Sequence, residues 1–306
     1  MSRNRIIIDC DPGVDDAVAI LLAFGSSADM EVLGITTVAG NVPIDATTRN
    51  ALRICRLAGR TDVPVFRGCE RPLLPLPPRS ASVHGLDGLG DIGLTDANFG
   101  TASKHAVDFI IDTVRDHPGE ITLCPIGPMT NIAVAMQKAP DLAANVKEIV
   151  FMGGAAFCHG NTTPQAEFNI WFDPDAAQIV LASGAKLTMF GLDVTEKALI
   201  TEKRLATMRS LPTDAARKAA DMLEQYGRGD TGLHDPCVIA HLIDDSLFSG
   251  VHAKVAIDLA EPVNRGKTVA QEAGSSDRSE ASTCRVITDL DDQRFFALLN
   301  ERLARC

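Results

Sequence analysis

Ile6-Ile7-Ile8-Asp9-Cys10-Asp11-Pro12-Gly13-Val14-Asp15-Asp16-Ala17 runs from an apolar triplet through a proline–glycine turn into a helix-like pattern, and it places four carboxylates within eight residues. Like charges this close repel strongly where water is scarce, so protons, cationic side chains or a bound cation must compensate them. The nearest basic residues on either side are Arg5 and Arg49, so the local sequence supplies no counter-charge. Carboxylate oxygens suit a hard divalent ion, and the segment offers no sulfur or imidazole pair of the kind zinc prefers. The alternative is a solvated acidic turn in which Asp15 and Asp16 simply complement a helix dipole.

Outward from this turn, strand and helix patterns alternate. Strand-like stretches are expected at Arg5–Ile8, Glu31–Val38, Val63–Phe66, Ile121–Ile126, Val146–Met152 and Leu187–Phe190, with Lys254–Ile257 and Cys284–Thr288 further on. Helical patterns fall at Ala17–Phe24, Ala46–Ala58, His105–Asp116, Thr130–Gln137, Asp175–Ser183, Glu202–Tyr226, from Asp235 or Pro236, and at Asp291–Ala304. Such alternation implies a single α/β domain over residues 1–306, with an open, mostly parallel β-sheet flanked by helices, because parallel strands need crossover connections. Two stretches resist regular structure: the Pro- and Gly-rich Glu70–Thr101, which holds His84, and the polar Gly266–Ser282.

The chain has 306 residues, 45% of them hydrophobic, and a net charge of −11, enough for a sizeable core and unsuited to non-specific binding of nucleic acid or an anionic membrane. A small polar substrate is the expected partner. With no apolar run of membrane-spanning length and no signal-peptide pattern after Met1, a cytoplasmic location is expected. The eight cysteines lack C-x-x-C spacing and read as small buried hydrophobes.

In an open parallel sheet, ligands bind beyond the carboxyl ends of the strands. Asp9 and Asp11, Asn41, the Gly127–Asn131 turn, and Gly153-Gly154 leading to Asn161 all follow expected strands, so they converge on one rim. Glu167 and Asn169 are spaced to share one face if their segment is extended. Asp235 before Pro236 reads equally well as a helix cap. A cap does not explain His234, which is placed to act as a general acid. His105, His117, His241 and His252 read as structural or surface residues.

Taken together, Asp9–Ala17, Thr36–Asn41, Pro125–Asn131, Phe151–Gly154, Ala166–Asn169, Gly191–Thr195 and Leu233–Cys237 resemble the nucleoside hydrolases of the inosine–uridine-preferring type, the ribonucleoside N-ribohydrolases. The resemblance spans most of the chain. It implies Ca²⁺-dependent hydrolysis of the N-glycosidic bond of purine or pyrimidine ribonucleosides to ribose and free base, in nucleoside salvage. It further implies one Ca²⁺ per subunit, held by Asp11, Asp16, Asp235 and the carbonyl of Ile126, with Asp11 as general base. The ribose would be gripped by Asp15, Asn41, Asn161, Glu167 and Asn169, with Met152 and Phe168 alongside. His84 resembles a base-side histidine and His234 the proton donor to the leaving base; a homodimer or homotetramer is also implied.

Two departures stand out. Only Gly227–Leu233 separates Tyr226 from His234, where relatives carry a longer, Tyr-bearing lid, and Glu196 stands where some have His. The competing readings are a phosphohydrolase of the haloacid-dehalogenase type, which shares Asp-x-Asp after its first strand, and a non-catalytic nucleoside-binding protein on the same fold.

Overall fold

The first strand, β1 (Asn4–Cys10), is buried over its last five residues and divides them between the two sides of the sheet. Ile6 and Ile8 join one core cluster and Ile7 the other, as the two-residue period of a strand requires. Each such side chain contributes roughly 1.5–3 kcal/mol on burial. The remaining strands are β2 (Met30–Thr37), β3 (Val65–Arg67), β4 (Ile121–Pro125), β5 (Glu148–Met152), β6 (Leu187–Phe190), β7 (Phe248–Asp258), β8 (Lys267–Glu272) and β9 (Cys284–Leu290). The computed structural model describes residues 3–75, 83–260, 263–274 and 284–306. Parts of the two irregular stretches, 76–82 and 275–282, lie outside them.

The strands form one nine-stranded sheet in the order β3-β2-β1-β4-β5-β6-β9-β7-β8. Pairing is parallel from β3 to β9, and β7 and β8 add an antiparallel edge. The open, mostly parallel sheet flanked by helices is therefore as expected. The chain winds one way from β1 through β2 to β3 and the other way from β4 onward. The carboxyl ends of β1 and β4 thus form a topological switch point, where such sheets open a crevice. Asp11 and Ile126 flank it, and the Ile126 amide donates to the Asp9 carbonyl at 2.8 Å.

Three local expectations are corrected. The helical run Glu202–Tyr226 is two helices, Glu202–Arg209 and Asp214–Tyr226. Pro212 lacks the N–H needed to continue the first, and the Thr213 hydroxyl caps the second by accepting from the Ala216 amide at 3.2 Å. The segment at Glu167 is not extended: Glu167 is the N-cap of a short helix, Phe168–Phe172, and its carboxylate accepts from the Asn169 and Ile170 amides. The polar stretch beginning at Gly266 contains β8, an edge strand whose outer face can stay polar because only one side packs. Among the described residues no helix is long and apolar enough to cross a membrane.

Candidate active site

The turn after β1 feeds the helix Val14–Phe24, which is buried on all sides. Asp16, in its first turn, reaches back so that its carboxylate accepts from the Gly13 amide at 2.9 Å and the Asp11 amide at 3.2 Å. Residue 13 must be glycine for steric reasons: a Cβ there would lie 2.6 Å from Nδ1 of His84 and 2.7 Å from Nδ2 of Asn41. Asp11 is enclosed in the same way, since side chains at Gly40 and Gly127 would begin 2.0 and 2.3 Å from its carboxylate oxygens. These glycines let the segments after β1, β2 and β4 close around the Asp11 turn.

Asp15, Asp16 and Asp235 bring ligand oxygens within 4.8 Å of one another, all buried. Asp11 lies beside them and raises the pKa of Asp235 by its charge. Its Oδ2 accepts from the Asn41 amide at 2.6 Å. Burial pushes the Asp11 carboxyl well above the usual range, and the Asp16 charge pushes it further. Burial, then Asp15, raises Asp16 to about 8 despite its hydrogen bonds. Asp235 is raised by burial, then by Asp15 and Asp16. It makes no side-chain cap to its helix, so the capping role is not observed. Asp9 points away into the sheet, accepting from Thr36 at 2.5 Å and Asn131 at 2.8 Å. Burial raises it to about 7.

Above these acids opens a cavity of about 390 Å³, within the range of small-molecule sites. Its lining includes Asp15, Asn41, His84, Ile126, Met152, Asn161, Glu167, Phe168, Asn169, His234 and Asp235. The residues expected to bind metal or substrate therefore either line the cavity or, as with Asp11 and Asp16, lie in the acid cluster beneath it, whereas Asp9, expected on the same rim, is turned toward Thr36 and Asn131. Asn169 donates to the Ile126 carbonyl at 2.9 Å and the Met152 carbonyl at 3.2 Å, tying the ends of β4 and β5 together. The Glu167 carboxylate also accepts from the Gly154 amide at 2.8 Å, and its pKa is raised because burial outweighs these bonds.

The opposite wall is built from other chemistry. His84 Nδ1 accepts from the Val14 amide at 3.1 Å, and its ring lies 5.2 Å from that of Tyr226. Tyr226 ends its helix and is buried against the cavity, so the short segment after it does not remove the aromatic wall. His234 is held at Nδ1 by Thr195 Oγ1, 2.7 Å away, and at Nε2 by Asp230, 3.2 Å away. Burial alone would lower the His234 imidazole, but Asp230, Asp15 and Glu167 together raise it. Burial would raise Asp230, but the His234 ring and the Gly232 amide hold it below the ordinary carboxylate range. Sequence reasoning passed over Tyr226, Thr195 and Asp230 as site residues. The one available signal was the acid four residues before His234.

The acid cluster fits a hard cation on two counts. All its donors are oxygens, and the buried Oδ1 atoms of Asp11 and Asp15 have no hydrogen-bond partner. Among the described residues, the only Lys or Arg lining the cavity is the exposed Arg228.

This combination of an open α/β sheet, an acid cluster at the switch point and a histidine-bearing wall defines an N-glycosyl hydrolase of ribonucleosides, and comparison with known proteins shows the family. A sequence model described as inosine-uridine preferring nucleoside hydrolase matches residues 6–297, so the chain belongs to that family, whose members use a metal ion. The inosine-uridine preferring nucleoside hydrolase of Crithidia fasciculata is 39% identical over 99% of this chain and 98% of its own. The pyrimidine-specific ribonucleoside hydrolase RihA of Shewanella woodyi is 40% identical over 97% of each chain. The structure of the purine-preferring ribonucleoside hydrolase from Gardnerella vaginalis superposes with a TM-score of 0.91, at 37% identity and 98% coverage of both chains. The family assignment disfavours the phosphohydrolase reading.

Proposed function

We propose that this chain is a Ca²⁺-dependent ribonucleoside hydrolase that releases ribose and free base for nucleoside salvage. The observation that carries the reading is the pairing of a buried acid cluster on one side of the cavity with an imidazole on the other. Cleaving an N-glycosidic bond builds positive charge on the ribosyl group, which a carboxylate-rich floor stabilises more than it does the neutral substrate. Asp11, Asp16, Asp235 and the Ile126 carbonyl would hold the ion. An all-oxygen protein cage of three carboxylates and a carbonyl suits Ca²⁺ better than Mg²⁺, which keeps several waters. When bound, the ion offsets the clustered charge and makes water more acidic.

Asp15, Asn41, Asn161, Glu167 and Asn169 grip the ribose hydroxyls, with Met152 and Phe168 against the sugar. Asp11 takes the proton of the attacking water as oxygen bonds to the anomeric carbon and the bond to the base nitrogen breaks. His234 gives a proton to that nitrogen, and His84 lies on the base side. The three relatives differ in the bases for which they are named, so base preference is left to measurement.

Incubation with inosine, uridine, cytidine and adenosine should release reducing sugar from at least one. Release from none would leave a nucleoside-binding protein. His234→Ala should lower turnover of natural nucleosides by roughly 10²–10⁴-fold, with a much smaller loss on nitrophenyl riboside, whose leaving group needs no proton. Equal losses on both would make His234 a positioning group.

A further inference from the structure

The short segment Gly227-Arg228-Gly229-Asp230-Thr231-Gly232 is not a loose remnant of a lid. The Asp230 amide donates to the Tyr226 carbonyl at 3.1 Å, the Thr231 carbonyl accepts from the Ile200 amide at 2.8 Å, and Gly232 bridges to Leu199. One Asp230 oxygen accepts from the Gly232 amide at 2.9 Å, which fixes the carboxylate within its own turn. Its other oxygen is the one 3.2 Å from Nε2 of His234. Gly232 permits this approach, because a Cβ there would lie 2.9 Å from Cε1 of the ring.

We propose that Asp230 is a positioning residue for leaving-group departure, holding the His234 ring in the orientation that presents the Nε2 proton at the cavity wall. An ionised carboxylate only accepts hydrogen bonds, so Nε2 must be the protonated nitrogen. The ring that gives up a proton is the imidazolium, in which both nitrogens donate, so the Thr195 hydroxyl accepts from Nδ1 across 2.7 Å and transfer from Nε2 leaves the neutral ring protonated at Nδ1. The two contacts together exclude the flipped ring, which would set ring carbons against Thr195 and Asp230, while the Thr195 hydroxyl tolerates either state of Nδ1 because it can donate or accept. Asp230 lines the same cavity as His234, so a departing base meets the Nε2 proton where the carboxylate has been holding it. The inference rests on the reading of His234 as proton donor.

The test compares Asp230→Asn, Asp230→Ala and His234→Ala, each assayed on the preferred nucleoside and on nitrophenyl riboside. Asparagine keeps the side-chain shape and an oxygen for the Gly232 amide, but it then turns its NH₂ toward Nε2 and cannot accept the Nε2 proton that aligns the ring. Asp230→Asn should keep the wild-type melting temperature and KM, yet lose about tenfold to a hundredfold in kcat on the nucleoside. Its loss on nitrophenyl riboside should be several-fold smaller, and Asp230→Ala should show the same leaving-group dependence. Near-normal kcat on the nucleoside in Asp230→Asn, or equal losses on both substrates, overturns the role of Asp230 if His234→Ala is itself selective. If His234→Ala is not selective, the donor reading fails and takes this inference with it.

Discussion

Replacing Asp11 by alanine is expected to lower kcat by at least about a thousandfold while leaving a folded protein. The side chain is 1% exposed, and one of its oxygens is engaged by the Asn41 amide at 2.6 Å while the other has no partner. Truncation leaves that amide unsatisfied, at a cost of about 1–3 kcal/mol. It also removes a buried carboxylate whose ionisation its neighbours oppose, which offsets part of that cost. Two measurements decide: steady-state kcat on the preferred nucleoside, and the melting temperature. A near-normal rate would mean that another group accepts the proton, and loss of the folded transition would make Asp11 structural.

Removing the divalent ion should abolish turnover and also change how stability depends on pH. In the metal-free protein, burial raises Asp9 to about 7 and Asp16 to about 8, against about 3.9 for an unfolded aspartate. An acid raised on folding binds more protons in the native state than in the unfolded chain. Its stabilising contribution is complete below about pH 4 and is lost as pH rises through its folded value. The chelated protein should therefore melt progressively lower between about pH 5 and pH 8. Saturating Ca²⁺ binds the ionised cluster of the folded state and adds about 2.7 kcal/mol at a hundred times its dissociation constant. The Ca²⁺-induced rise in melting temperature should thus be larger near pH 8 than near pH 5.5. Thermal unfolding with EGTA and with Ca²⁺ at both pH values measures this, and a chelator that alters neither activity nor melting would remove the ion from the proposal.

Most of the strands and helices that carry the site are legible in the sequence because their patterns are local. The triplet Ile6–Ile8, the β-branched run in β2 and the helix Val14–Phe24 announce themselves through apolar period and length. The edge strand β8 does not, because a strand packed on one side keeps too many polar residues to stand out. The short helix at Phe168 was also hidden. Its start is set by Glu167 accepting backbone amides, a cap chemistry more familiar from Asp, Asn or Ser.

The site divides in the same way. The N-terminal acids could be proposed from their clustering, Asn41 from its place after a strand and His234 from the acid beside it, whereas His84 follows only from the family resemblance. Asp230, Thr195 and Tyr226 could not, because what makes them part of the site is contact across the chain. Thr195 meets His234 over a sequence separation of 39 residues, and no local pattern encodes that distance.

By itself, the sequence determined the alternating α/β order, the placement of polar residues at strand ends, and the excess of buried negative charge that calls for a cation. These follow from hydrophobic period and like-charge repulsion, which neighbouring residues already express. Only the tertiary structure decided that Asp15, Asp16 and Asp235 bring ligand oxygens within 4.8 Å of one another and that Asp230 faces His234. Those outcomes depend on where the chain reverses between β1 and β4 and on which glycines allow backbones to close to within a side chain's width.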